Sequence, residues 1–129
     1  MQNQTGRAAA ERRLLELHAA TCRMLAHPLR LGVIEVLRNG ERSAGDLLGT
    51  LATTAANLSQ HLTAMREAGI VEARREGRYA YYRISDPRIL TAFRLMREVL
   101  LRRLARDGRL AGRAGWLQEP PRAHGATRR

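Results

Sequence analysis

The chain has 129 residues, enough for one domain whose core needs no disulfide or metal staple. Its 23 basic residues, all arginine, outweigh 12 acidic ones for a net charge of +11, which suits a polyanionic partner. A single cysteine, Cys22, excludes an internal disulfide, and no apolar run is long enough to span a bilayer.

In chain order, residues 1–12 are polar, lack the apolar core of a leader peptide, and are expected to form a flexible arm on a cytoplasmic protein. A helical pattern covers 7–26, with Leu14, Leu17, Met24 and Leu25 set among charged residues. Pro28 opens a second helix over 28–38, because proline is tolerated in a first turn, and Asn39-Gly40 ends it. Its Leu29, Val33, Val36 and Leu37 are expected inward. Ser43 caps a short helix over 43–51 that carries Leu47, Leu48 and Leu51. Thr54 caps the next, over 55–68, where Leu58, Leu62 and Met65 recur at i, i+4, i+7 on one face. Ala68-Gly69 stops that helix. Residues 71–75 and 78–84 then pair around a turn centred on Glu76-Gly77, which sets Val71 opposite Tyr82 and Ala73 opposite Ala80. Asp86-Pro87 starts a last helix over 86–106, with an apolar stripe wider than one buried face needs. The domain is expected over 13–106. Residues 107–129 have no periodicity and are expected to be a basic, disordered tail that includes Trp116.

The chemistry concentrates in residues 54–85. Asn57, Ser59, Gln60 and Thr63 lie opposite the apolar face of their helix and suit hydrogen bonding to base edges; an ordinary solvated face is the competing reading. Ala56 and Arg66 complete the expected contact set on that helix. Thr54 and Ser43 stand at helix N-termini, where free backbone amides attract phosphate. Arg74, Arg75 and Arg78 tip the hairpin and are expected on phosphates or in a minor groove, with solubilising charge as the alternative. His61 is expected to pack against the core, as is Tyr82, with Tyr79 and Tyr81 packing on the sheet.

The order of elements, with LAHPLRL in the second helix, NLSQHL in the polar-faced helix and REAGIVEARREGRYAYYRI through the hairpin, resembles the ArsR-type winged-helix transcriptional repressors over roughly residues 15–105. The resemblance implies a mainly α fold, a winged helix-turn-helix of order α-α-α-α-β-β-α. It also implies a homodimer that represses from a palindromic operator and releases DNA on a signal. In such proteins the first and last helices pair, which here implies Leu14, Leu17, Phe93, Met96 and Leu100 at the dimer interface.

The sequence departs from that family in its sensing chemistry. The family's cysteine pair before the reading helix is replaced by ERSAGDLL, and the last helix contains no histidine. His18 and Cys22, one helical turn apart, are the candidate sensor, either as four N2S2 zinc ligands across a two-fold axis or through oxidation or cross-linking of Cys22, with packing of Cys22 in the dimer interface as the competing reading. No cofactor or metal is expected, and the inducer is unassigned. There is no glycine-rich phosphate loop, carboxylate pair or Ser-His-Asp set, so no enzyme is expected. The competing function is a basic winged-helix module that binds DNA without sequence choice, or binds a protein.

Overall fold

A computed structural model describes residues 2–108. They form α1 (Gln2–Leu25), α2 (Pro28–Val36), a 3-10 turn (Leu37–Asn39), β1 (Arg42–Ser43), α3 (Ala44–Thr50), α4 (Ala55–Glu67), β2 (Val71–Glu76), β3 (Tyr79–Ile84) and α5 (Pro87–Arg106). This is the expected mainly helical, winged architecture. Of the expected tail only Asp107 and Gly108 are described; Trp116 lies outside the described residues.

Local chemistry sets most boundaries. Ser43 Oγ accepts from the Asp46 amide at 3.1 Å to start α3, and Thr54 Oγ1 accepts from the Asn57 amide at 3.2 Å to start α4. Asp86 Oδ1 accepts from the Arg88 amide at 2.9 Å to start α5. α4 ends in a paired C-cap: the Gly69 amide donates to the Arg66 carbonyl and the Ile70 amide to the Met65 carbonyl, both at 3.0 Å. That motif needs a left-handed residue after the cap, which Gly69 supplies at φ 76°. Ile70 and Met65, the two residues it brings together, are both buried.

At the N-terminus the helix runs unbroken across residue 12, where an arm was expected to give way to the domain. Ala8, Ala9 and Ala10 favour helix strongly, and Gly6 is too weak a breaker to end it. Every side chain from residue 3 to residue 20 is nonetheless exposed.

The core gathers around α2. Val33, Ile34 and Leu37 meet Leu47 of α3 and Leu58, Leu62 and Met65 of α4, with Ile70 and Val71 closing one end. Ile34, only 1% exposed, was not among the expected inward residues. α2 packs against both α3 and α4, and its Glu35 pairs with Arg97 of α5. A helix flanked on several sides buries more than one stripe. Tyr82, Ile84, Ile89, Leu90 and Phe93 pack over this cluster from β3 and α5.

The sheet has three antiparallel strands in the order β1-β3-β2. β1, which places Arg42 opposite Tyr82 and Ser43 opposite Tyr81, was not expected, because two residues carry no alternation to read. The hairpin register also differs from expectation by two residues. Val71 faces Ile84, Ala73 faces Tyr82, and Arg75 faces Ala80. The two-residue turn is Gly77-Arg78, one position later than expected, and Gly77 takes φ 60° at its first position, where hairpin turns of this kind favour glycine. Since the shift is even, the same residues still face the core.

Candidate nucleic-acid interface

The apolar stripe of α4 fixes which residues it presents outward. With Leu58, Leu62 and Met65 buried, Ala56, Asn57, Ser59, Gln60, Thr63 and Arg66 are all exposed. Their polar groups are not equally free. Asn57 Nδ2 donates to Thr53 Oγ1 at 2.9 Å, which ties that amide to the residue before the helix cap. Thr63 Oγ1 donates to the Ser59 carbonyl at 2.9 Å, and Thr54 Oγ1 is occupied as the cap. Ser59 Oγ, the Gln60 amide and the Arg66 guanidinium have no hydrogen-bond or ion-pair partner among the described residues. Ser43, expected on a phosphate, is half-buried in β1 with its oxygen committed to the α3 cap.

The three wing arginines divide in the same way. Arg74 projects from the sheet face that carries Glu72 and Glu76. Its guanidinium meets Glu41 at 2.7 Å and Glu76 at 2.8 Å, and lies 4.4 Å from the Tyr81 ring centroid. The hydrogen bond from Arg74 holds the Glu41 carboxyl below its ordinary pKa, and those to Glu41 and Glu76 raise the pKa of Arg74. Arg83 pairs across the hairpin with Glu72 at 2.7 Å. Arg75 and Arg78 are exposed and have no ion-pair partner among the described residues. Two guanidiniums at the wing tip are therefore available to an anion, and the third is neutralised within the protein.

Two helices also expose apolar side chains. Leu14 and Leu17 on α1 are 58% and 62% exposed, and Met96 and Leu100 on α5 are 59% and 48% exposed. Leu15 on α1 and Leu95 and Val99 on α5 are exposed as well, beyond the interface residues named from sequence; the i, i+4 spacing of 95 with 99 and of 96 with 100 was the available signal. Phe93 is half-buried against the core cluster and serves its own domain.

His18 and Cys22 are both exposed on α1. Among the described residues no group of three or more His, Cys, Asp or Glu is placed to hold a metal ion. No described helix is long and apolar enough to cross a membrane. His61, expected as a hydrogen-bonded residue packed against the core, is half-buried and accepts a hydrogen bond from Arg30. Neither Arg30 nor His27, which sits beside that ring, was singled out from sequence.

Comparison with known proteins bears on this arrangement. Residues 25–74 match a family described as a helix-turn-helix domain. The HTH-type transcriptional regulator Rv0081 of Mycobacterium tuberculosis is 40% identical over 93 residues, which cover 71% of this chain and 82% of that protein. Its crystal structure superposes with a TM-score of 0.67 at 39% identity, covering 73% of this chain and 95% of that one. Mb0332 of Mycobacterium bovis is described as a possible ArsR-family regulator with a homodimeric winged helix-turn-helix domain. It is 32% identical with a TM-score of 0.66, over 73% of this chain and 87% of that one. The transcriptional repressor BigR of Xylella fastidiosa is 32% identical with a TM-score of 0.63, over 72% and 94% of the two chains.

Proposed function

The chain belongs to the ArsR-type winged helix-turn-helix transcriptional regulators, and from that premise we propose that it is a repressor that binds a palindromic operator as a homodimer. The observation that carries this reading is the pairing of an outward α4 face, where Ser59 and Gln60 are free, with a wing tip where Arg75 and Arg78 are free. Base edges are read by such uncommitted polar groups, and phosphates position the protein through uncommitted cations. The homodimer is supported by the exposed leucines of α1 and the apolar patch of α5, which need a covering partner. A two-fold axis there would set the two α4 helices in successive major grooves about 34–36 Å apart. The module binds and does no chemistry of its own.

Selection from a random-sequence duplex library tests this reading. An inverted repeat should be enriched and should outcompete random duplex by at least about 10³. Recovery of duplexes with no shared sequence would instead make this a non-specific DNA-binding module. On the enriched duplex, Gln60→Ala is expected to cost about 1–3 kcal/mol at one base position and relax preference there. An unchanged ranking of operator variants would remove Gln60 from the readers.

The wing gives a second contrast. Arg78→Ala should weaken binding to all sequences alike and lower the slope of log Kobs against log salt by about one unit. Arg74→Ala should leave that slope unchanged, because Glu41 and Glu76 already neutralise its guanidinium. Titrations at several salt concentrations measure both. Equal slopes for the two variants would contradict the division of the wing arginines.

A further inference from the structure

A polar junction lies on the side of α4 turned away from its free reading groups. His27 Nδ1 accepts from the Leu29 amide at 3.1 Å and caps α2. The His27 and His61 rings have centroids 4.3 Å apart, with their planes tilted by 42°. Arg30, in the first turn of α2, donates in two directions: Nε to His61 Nδ1 at 2.9 Å, and Nη1 to the Met24 carbonyl at 2.6 Å. One half-buried guanidinium thus joins the last turn of α1 to the middle of α4.

The bond dictates a protonation state. His61 accepts at Nδ1, so its ring is neutral with the proton on Nε2. A second proton would occupy Nδ1, abolish the acceptor, and set one cation against another, since arginine does not deprotonate. On this side of α4, α2 presents Arg30, the α1–α2 connection presents His27, and α1 presents the Met24 carbonyl. Desolvation, then His27 and Arg30, push the His61 pKa down. A histidine whose folded pKa lies below its unfolded value contributes stability above the ordinary imidazole range. As pH falls below about 6.5, the released ring takes up protons first and the bonded arrangement weakens.

We propose that Arg30 and His61 form a latch that positions the reading helix α4 against α1 and α2, and that the latch holds only while His61 is neutral, so that acidification releases sequence-specific DNA. The proposal rests on α4 being the reading helix. It makes Arg30 and His61 positioning residues that act on DNA through the pose of their helix. It also predicts a sign opposite to that of bulk charge, because added protons alone would strengthen phosphate attraction.

The test measures full-length protein at fixed ionic strength, at pH 7.5 and 5.5, on two duplexes. One is the duplex the wild type selects at pH 7.5; the other is a scrambled duplex of equal length. Wild type should lose at least about fivefold in affinity for the selected duplex at pH 5.5, the loss that a one-unit lowering of an imidazole pKa near 6.5 produces at each site, with no loss on the scrambled duplex. His61→Asn, whose amide oxygen replaces Nδ1 and does not titrate, should bind the selected duplex equally at both pH values. Arg30→Ala should be weak at both. A flat wild-type profile, or a His61→Asn profile like that of wild type, overturns the latch; so does a profile abolished by His27→Asn instead. Should His61→Asn fail to fold, imidazole NMR of wild type decides. The selected duplex should lower the His61 pKa by about one unit, and an unmoved pKa overturns the proposal. If no duplex is selected, the DNA-reading role of α4 fails; a selected duplex with a flat pH profile fails the latch alone.

Discussion

Glutamate placed at both Leu17 and Met96 is expected to leave the protein monomeric and to cost about 10²–10⁴-fold in affinity for an inverted-repeat duplex. These side chains are 62% and 59% exposed on α1 and α5, the two elements with the largest uncovered apolar surface. α1 is 24 residues long, and of its described side chains only Leu25 is buried. Packing of an apolar face, more than intrinsic propensity, holds most helices in place, so α1 requires a second surface. A charge buried in an interface there would lose its hydration without gaining a partner. Val33, Ile34, Leu37, Leu47 and Met65 pack within one chain, so the double variant should still unfold cooperatively. Light scattering after size-exclusion chromatography reads the mass, and competition binding reads the affinity. A variant that remains dimeric would move the two-fold axis away from α1 and α5, and a wild type that is monomeric at micromolar concentration would remove the homodimer.

Leu47→Ala should produce the largest loss of stability from a single truncation, about 2–5 kcal/mol. Leu47 is fully buried in α3, between α2 and the sheet, and the total to be lost is only about 5–15 kcal/mol. For a domain of this size each kcal/mol shifts Tm by about 4–8 °C, so the transition should fall by at least about 8 °C. Leu48, one residue on, is half-buried and should cost less when truncated. Denaturant titration of both variants checks the order. A loss below about 1 kcal/mol at Leu47 would mean that the helix pair collapses around the void or is less tightly packed than its burial indicates.

Features that depend on groups only a few residues apart are legible along the chain. The Ser43 and Thr54 caps, the stop at Gly69 and the Leu58, Leu62, Met65 stripe each need no more than one or two helical turns. The hairpin is legible in its faces and not in its register, because a turn centred one residue later keeps the same side chains inward. The fate of the arginines is not legible. Arg74, Arg75 and Arg78 look equivalent along the chain and are all exposed, yet Glu41, 33 residues away from Arg74, occupies that one guanidinium and leaves the other two without an ion-pair partner among the described residues. Arg30 and His61 are likewise separated by 31 residues, and only folding makes them donor and acceptor.

The amino-acid sequence by itself determined the order of the helices and hairpin and the helix that presents a polar face outward, because periodicity and capping are local and act wherever that segment sits. Tertiary structure decided which wing arginines remain uncommitted and what Arg30 and His61 bond, since a hydrogen bond or ion pair between distant residues exists only after burial of Val33, Ile34, Leu47 and Met65 has brought their elements together.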